Sequence, residues 1–204
     1  MSPTAASPIP DGLEVVIDFV NTLDLETGAD ELGSPAALAG WLVERDLLRP
    51  RSTPADGHAL AHARELREGL RSLLLANNGG GDAAAGWAAL ERTARRGELA
   101  VHFGGAEMAA LRPAAEGVAG GLARLLVPVA RAVGDGTWRR AKACRADDCQ
   151  YAFYDRSRNR AGVWCEMAVC GNRTKVRAYR SRSARPGTRS ARPGSRGAGP
   201  AAGG

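Results

Sequence analysis

The hydrophobic residues in the N-terminal two thirds of the chain recur mainly at helical intervals. The clearest series alternates steps of four and three residues until the run NNGGG ends it: Ala59, Ala63, Leu66, Leu70 and Leu73. Thr53 and Pro54 supply the start of this helix, a capping side chain followed by a first-turn proline. Ser34 and Pro35 begin SPAALAGWLVERDLL in the same way. These patterns predict a body built mostly from helices.

Further elements complete the predicted body, which ends near Gly136. Asp82 can cap a helix through AAAGWAALERTARRG, and Gly97 ends that helix. The segments ELAVHF and MAALRPA flank GGAE and predict a β-hairpin. A long helix follows, kinked at Pro128, with one apolar face: Val118, Leu122, Leu125, Val129 and Val133. The fold class is therefore α+β and mainly helical, with one hairpin in the body.

The first apolar run, LEVVIDFVNTLDLE, is compatible with a helix and almost equally with a strand. As a helix it would carry Asp18, Asn21 and Asp24 at three-residue spacing in one polar stripe. Such a stripe could line a ligand pocket or supply an acid/base pair. The favoured interpretation is that these side chains satisfy neighbouring backbone groups or cap the helix.

Basic residues are concentrated at the C-terminal end of the chain. Residues 171–204 contain nine Arg and Lys and no Asp or Glu, whereas the rest holds 19 basic residues and all 22 acidic ones. A mildly acidic body with a strongly basic end is typical of a protein that contacts a polyanion through that end. The motif SARPG occurs twice after residue 182, and residues 183–204 are predicted to form a disordered basic tail.

The four cysteines form two pairs of the same C-x4-C spacing, separated by fifteen residues: Cys144 with Cys149, and Cys165 with Cys170. Two such pairs can hold one tetrahedral Zn²⁺ ion, each pair from its own turn. Sulfur would fill all four positions and leave none for a substrate. The spacing therefore predicts one structural zinc ion per chain, with two disulfides or four unrelated thiols as the alternatives.

The location of the protein is predicted from two further features. The segment MSPTAASPIPDG is unlike a secretion signal, and the longest apolar run, LLVPVARAV, is too short and too interrupted to cross a membrane. We therefore expect a cytoplasmic protein that does not bind a membrane. In a reducing compartment, four cysteines favour a metal site over disulfides.

The predicted zinc site needs positive charge around it, because four thiolates and one Zn²⁺ carry a formal charge of −2. A helix starting near Asn172 would direct its N-terminal amides at the second cysteine pair, and Gly171 would permit the sharp entry into that helix. Three further residues add positive charge: Lys142, Arg145 and Arg173. Aromatic residues between the cysteine pairs are expected to form a small separate core: Tyr151, Phe153, Tyr154 and Trp164.

The same helix offers a basic surface, because Arg173, Arg177 and Arg180 would share one of its faces. Like charges at this spacing repel one another, and a polyanion such as the nucleic-acid backbone would neutralise them. The candidate nucleic-acid contacts lie on this helix and on the turn before it: Arg156, Arg158, Arg173, Lys175, Arg177, Arg180 and Arg182. A solvated basic surface is the alternative.

These motifs resemble a known family. CRADDCQYAFYDRSRNR and CEMAVCGNRTKVRAYRSR are similar to the CGNR zinc finger, and VIDFVNTLDLE with SPAALAGWLVERDLL resembles the ABATE domain that precedes this finger in bacterial proteins. The resemblance implies a stress-responsive transcription regulator whose finger binds DNA. It also implies that the zinc ligands are Cys144, Cys149, Cys165 and Cys170.

The resulting domain organisation has four parts: a flexible N-terminus at 1–12, an ABATE-like helical domain at 13–136, a zinc finger at 137–182 and a basic tail at 183–204. The chain has no Ser-His-Asp order, Gly-rich phosphate loop or HExxH motif, so we expect a regulator and not an enzyme. His58 and His62 are expected to be surface or boundary residues. Nucleic acid is the expected partner, DNA more than RNA, and a homodimer and a small-molecule effector are compatible with this role. The alternative function is a metabolite sensor or enzyme with a pocket in the helical domain and a purely structural finger.

Overall fold

The computed structural model describes residues 8–50, 54–104 and 109–176. Within these ranges six helices and two antiparallel pairs of strands follow one another: α1 (Leu13–Asn21), α2 (Pro35–Glu44), α3 (Gly57–Asn77), α4 (Ala83–Arg96), β1 (Leu99–Phe103), β2 (Ala109–Pro113), α5 (Gly117–Arg124), α6 (Leu126–Gly134), β3 (Ala141–Ala143) and β4 (Ala152–Tyr154). A 3₁₀ turn at Trp138–Arg140 precedes β3. A π-helical turn at Met167–Gly171 continues as helix to residue 176. The α+β, mainly helical class is confirmed.

Helix starts follow the expected capping chemistry, with one correction. Ser34 Oγ accepts a hydrogen bond from the Ala37 amide at 3.1 Å, and Asp82 Oδ1 accepts one from the Ala84 amide at 2.9 Å. The long helix α3 begins at Gly57 and not after Thr53 and Pro54, because Asp56 is its cap: Asp56 Oδ1 accepts from the Ala59 amide at 2.7 Å. The first apolar run is the helix α1, which resolves the choice between helix and strand.

Helix α3 lies at the centre of the hydrophobic core. Leu66, Leu70 and Leu73, the predicted apolar face, are at most 1% exposed. Helix α4 approaches α3 closely at two glycines, since a Cβ at Gly69 or at Gly86 would lie 2.6 Å from a side-chain atom of the opposite helix. Side chains of α1, α2, α5 and α6 complete this core.

The predicted long kinked helix is two helices, α5 and α6, which meet at Leu125. Pro128 has no N–H to donate to the carbonyl of Arg124, and its ring would collide with that carbonyl in a continuous helix. The break therefore falls three residues before the proline. The stretch Gly117–Gly134 is long and apolar enough to cross a membrane, but half of it is buried inside the protein, as in the core helix of many globular folds.

The strands β3 and β4 pack into the core of the helical body. Buried side chains of this segment belong to the same hydrophobic cluster as Leu66 and Leu70: Trp138, Ala141, Ala143, Ala152 and Tyr154. The separate aromatic core expected around the cysteines forms only in part: Trp164 packs against a small cluster of Cys144, Ala146 and Cys170, whereas Tyr154 is buried in the body and Tyr151 is half exposed. The strands β3 and β4 thus share the core of the body, while the cysteines form a second, smaller cluster.

Candidate metal centre and basic loop

The four cysteine sulfurs converge on one point. All four Sγ atoms lie within 4.8 Å of one another, and two of the separations, Cys149–Cys165 and Cys165–Cys170, are 3.6 Å. A disulfide requires about 2.05 Å between sulfurs. Four sulfurs bound tetrahedrally to Zn²⁺ at about 2.3 Å lie about 3.8 Å apart. The cluster is therefore compatible with one metal ion.

The first cysteine pair sits in the tight connection between β3 and β4. The Cys144 amide donates to the Tyr151 carbonyl at 2.9 Å, which extends the strand pairing, and the Cys149 amide donates to the Ala146 carbonyl at 2.9 Å. Gln150 closes the loop with a φ of 46°. This local geometry brings the two thiols of the C-x4-C motif to the same side of the turn.

The second cysteine pair lies at the π-helical turn, with Cys165 before the turn and Cys170 within it. The Cys170 amide donates to the Glu166 carbonyl at 3.0 Å within this turn, and the α-helix follows from Asn172, where its start was expected. Asn172 has helical dihedrals, φ −69° and ψ −43°, and does not act as the expected cap. Gly171 is closely packed: a Cβ there would lie 2.5 Å from Met167 Sδ and 3.1 Å from Trp164 Cδ1, so the Met167 side chain would have to move.

The thiols differ in how readily they ionise. Burial opposes ionisation of Cys144, but hydrogen bonds from the Ala146 and Cys165 amides and from neighbouring thiols hold the pKa of Cys144 below its usual value. Burial raises the pKa of Cys149 to about 11 and also raises the pKa of Cys165, and the negative charge of Cys144 acts on both in the same direction. A site with all four thiolates ionised therefore requires a bound cation.

Arg173 connects the second cysteine pair to the body. One guanidinium nitrogen lies 3.7 Å from Cys170 Sγ and 3.6 Å from Asp148 Oδ1, while the other donates to Glu26 Oε1 at 2.7 Å. Arg173 thus supplies the positive charge that was expected near the thiolates. Because these contacts occupy hydrogen-bond donors of the Arg173 guanidinium, fewer donors are available for the predicted nucleic-acid contact.

Asn78, the C-terminal cap of α3, holds both halves of the metal centre with one side chain. Its Nδ2 donates to the carbonyls of Ala143 and Val163, each at 2.8 Å. Ala143 directly precedes Cys144, and Val163 lies two residues before Cys165. The Asn78 side chain is buried, so this amide fixes the distance between the two cysteine turns.

Three more side chains of the body bind backbone groups of the cysteine segment. The Asn21 amide pairs with both polar backbone atoms of Ala152, at 2.7 and 3.0 Å, as a neighbouring strand would. Asn77 Nδ2 donates to the carbonyls of Trp138 and Ala141, both at 2.9 Å. Buried Arg71 donates to the Gln150 carbonyl at 2.9 Å. The role of Asn77, Asn78 and Arg71 was not identified from the sequence, because the pair NN indicated only the end of a helix.

The residues of the predicted ligand pocket have separate surroundings. Helix α1 ends at Asn21, so Asp24 is not on its stripe. Asp18 is exposed, and the Asn21 amide is engaged with Ala152. Asp24 Oδ1 accepts from the Glu26 amide at 2.8 Å and closes a turn beside the cysteines. The three side chains do not converge on one pocket.

Lys142 organises the loop between β4 and the second cysteine pair. Its Nζ lies 2.7 Å from Asp155 Oδ2 and also donates to the carbonyls of Arg160 and Gly162, at 2.6 and 2.9 Å. Lys142 was expected to add positive charge near the thiolates, but a carboxylate and two carbonyls occupy its ammonium group. Arg145, also expected to do so, is exposed.

Further bonds fix the course of this loop, residues 155–163, which we call the basic loop. Asp155 accepts from the amides of Ser157 and Gly162, both at 2.9 Å. Arg140 donates to the carbonyls of Asp155 and Ser157, at 3.0 and 2.8 Å. These bonds hold the pKa of Asp155 near 2, because Lys142 and the two amides outweigh the effect of burial.

The basic loop exposes three arginines: Arg156, Arg158 and Arg160. Lys175, on the helical segment after the cysteines, is also exposed. The other predicted nucleic-acid contacts, Arg177, Arg180 and Arg182, lie outside the described residues, as does the predicted tail at 183–204. Of the predicted basic surface, the structure therefore places the loop, Arg173 and Lys175.

Fold and site together define a mainly helical protein with an all-cysteine metal centre built onto its core. Two family models match the chain: ABATE, described as "Putative stress-induced transcription regulator", over residues 13–142, and the CGNR zinc finger over residues 140–183. The chain belongs to the ABATE family and carries a CGNR zinc finger. The two matches overlap at residues 140–142, where β3 enters the shared core. No curated protein matches the chain significantly.

Proposed function

We propose that the protein regulates transcription by binding nucleic acid, DNA in preference to RNA, through its CGNR zinc finger. The observation that carries the proposal is the basic loop, in which the buried Lys142–Asp155 pair fixes the backbone while Arg156 and Arg158 stay exposed. A preformed loop loses little conformational entropy when its arginines bind phosphate. Arginine is well suited to this contact, since its planar guanidinium can donate two parallel hydrogen bonds.

The metal in this proposal is one zinc ion per chain, and its role is structural. Four sulfur donors that all lie within 4.8 Å of one another suit Zn²⁺, and a site filled by four cysteines leaves no open position for a substrate. Zinc would hold the two cysteine turns together and so fix the ends of the basic loop, which begins after Cys149 and ends before Cys165. In this proposal the protein acts by binding and not by catalysis.

DNA is preferred over RNA because the matched family is described as a transcription regulator, and such proteins act on promoter DNA. The competing function, a sensor or enzyme with a pocket at Asp18, Asn21 and Asp24, has less support, because these side chains have separate partners. A homodimer, a small-molecule effector and a cytoplasmic location stay predictions.

The test compares two double variants of the full-length, zinc-loaded protein. Arg156→Ala with Arg158→Ala should weaken binding to duplex DNA about tenfold at moderate salt and lower the slope of log K against log salt by about 2, one unit per phosphate contact. Arg95→Ala with Arg112→Ala removes the same charge from exposed positions of the body and should leave binding unchanged. Fluorescence anisotropy at several salt concentrations measures both quantities.

The folding of both double variants is checked separately from DNA binding. Zinc content and far-UV circular dichroism of both double variants should match the wild type, because all four arginines are exposed. If both double variants bind DNA as tightly as the wild type, the basic loop is not the contact surface. Binding that disappears in both would indicate a nonspecific attraction to net charge.

A further inference from the structure

A groove opens directly beside the basic loop. It has a volume of about 460 Å³, within the range of about 300–1,000 Å³ for small-molecule sites, and no acidic residue contributes to its walls. Its lining combines loop residues with the start of the second cysteine turn: Ser157, Ala161, Gly162, Val163, Trp164 and Met167. We call it the Trp164 groove.

The apolar wall of the groove is an aromatic ring and a thioether held by close packing. The Trp164 ring and the Met167 sulfur both lie against Gly171, where any larger residue would collide with them. Met167 is 55% exposed, and Trp164 packs partly against the cysteine cluster while the rest of its side chain stays accessible. An indole face accepts a flat, uncharged ring of any nucleobase by stacking.

The rim of the groove has the opposite character. Arg156, Arg158 and Arg160 are exposed on the loop that forms one side of the groove, and the Lys142–Asp155 pair holds this loop in place. An apolar metabolite would contact the apolar wall of the groove but would make no use of the positive charge of the arginines. A nucleotide unit within a strand fits both parts, because its base is apolar on both faces and its phosphates are anionic.

We propose that the Trp164 groove binds one unpaired nucleobase, stacked on Trp164 and Met167, while the arginines of the basic loop bind the adjoining phosphates. The inference rests on the proposed function, and it adds a preference within that function for nucleic acid in which a base is unpaired: a single strand, a bulge or a melted segment. A base inside an intact duplex has both faces covered by its neighbours and cannot enter the groove without leaving the stack.

The experiment uses the zinc-loaded full-length protein and three DNA probes of one sequence: an intact duplex, the same duplex with one bulged 2-aminopurine, and the single strand with 2-aminopurine at the same position. Stacking on the indole should quench 2-aminopurine fluorescence when the protein binds. The bulged duplex and the single strand should bind about fivefold or more tightly than the intact duplex, as expected for one added base–aromatic stack.

Two variants separate the groove from the rest of the finger. Met167→Ala should reduce the quenching and the preference for unpaired DNA while leaving affinity for the intact duplex unchanged. Val169→Ala is the matched control, because Val169 is half exposed on the same π-helical turn but lines a different groove. Zinc content reports whether either variant disturbs the metal centre.

The outcomes distinguish this inference from the function on which it rests. Equal affinity for all three probes, with unquenched 2-aminopurine, would overturn the base-binding groove and leave nucleic-acid binding in place. Failure of all three probes to bind would overturn both. If Met167→Ala and Val169→Ala lose the preference for unpaired DNA equally, the base binds elsewhere on the finger and the inference is wrong.

Discussion

Lys142 and Asp155 form a buried ion pair at the centre of the zinc finger, with 2.7 Å between Nζ and Oδ2 and side chains only 6% and 2% exposed. The pair joins β3 to the residue that follows β4, thirteen positions along the chain. It also anchors the basic loop, since Lys142 binds two loop carbonyls and Asp155 binds two loop amides. The buried ion pair therefore helps to set the conformation of the exposed basic loop.

Replacement of Lys142 by methionine should destabilise the protein by about 3–5 kcal/mol, because it leaves the Asp155 carboxylate and two carbonyls buried without their cation. Urea unfolding followed by circular dichroism measures this loss. Arg139→Met is the control, since Arg139 is exposed three residues earlier, and it should change stability by less than about 0.5 kcal/mol. A similar effect of both substitutions would contradict the role assigned to the buried pair.

Asn78 should act on the metal although it does not touch a sulfur. Asn78→Ala removes the amide that joins the backbone before Cys144 to the backbone before Cys165, so zinc affinity should fall about ten- to a hundredfold. Competition with a chromophoric chelator measures the affinity. Asn172→Ala, which removes only a local bond to the Ala168 carbonyl, should leave it unchanged. Equal zinc affinity in both variants would show that the cysteine turns hold their separation without the body.

Removal of the metal should lower the thermal stability of the helical body as well as that of the finger. Cys165→Ser should lose zinc, and because β3 and β4 lie in the core of the body, the thermal unfolding of the helices should move to lower temperature. Circular dichroism at 222 nm before and after chelation of the wild-type protein provides the comparison. Undiminished zinc in Cys165→Ser would rule out the four-sulfur site. An unchanged melting temperature after zinc loss would show that the body folds independently of the finger.

His62 should make stability depend on pH. Its side chain is buried between α3 and α4, with Nε2 3.2 Å from Thr93 Oγ1 and Nδ1 3.8 Å from Glu65. Burial, reinforced by the charges of Arg96 and Arg92, lowers the pKa of His62 below 6.5, although Glu65 opposes the shift. The folded state therefore binds fewer protons than the unfolded chain. The stability that depends on neutral His62 should therefore be fully present above pH 6.5 and should be lost as the pH falls below this value.

The measurement for His62 is the free energy of unfolding at pH 8 and at pH 6, in the wild type and in His62→Gln. The wild type should lose more stability over this interval than the variant, and the difference isolates the buried histidine from other groups, including the thiols. His58→Gln is the control, because His58 is exposed one turn earlier on α3. If the wild type and His62→Gln depend on pH in the same way, the buried imidazole is not the cause.

Features that depend on residues close together along the chain could be predicted from the sequence. Helical spacing identified the buried face of Leu66, Leu70 and Leu73, and local capping chemistry located Ser34 and Asp82 at helix starts. The two C-x4-C motifs likewise predicted a metal centre, because a four-residue turn can bring its own two thiols together. Even here local competition mattered, since Asp56 caps α3 downstream of the expected start.

The contacts that hold the finger against the body, and the identity of its exposed charges, could not be predicted from local sequence. Asn21 binds Ala152 across 131 positions, and Asn78 binds Val163 across 85, contacts that no local spacing encodes. Lys142 was expected to add charge near the thiolates, but the fold pairs its buried ammonium group with the Asp155 carboxylate. Such partners depend on which backbone segments meet in the core, because hydrogen bonds and ion pairs act over a few ångströms in space whatever the separation in sequence.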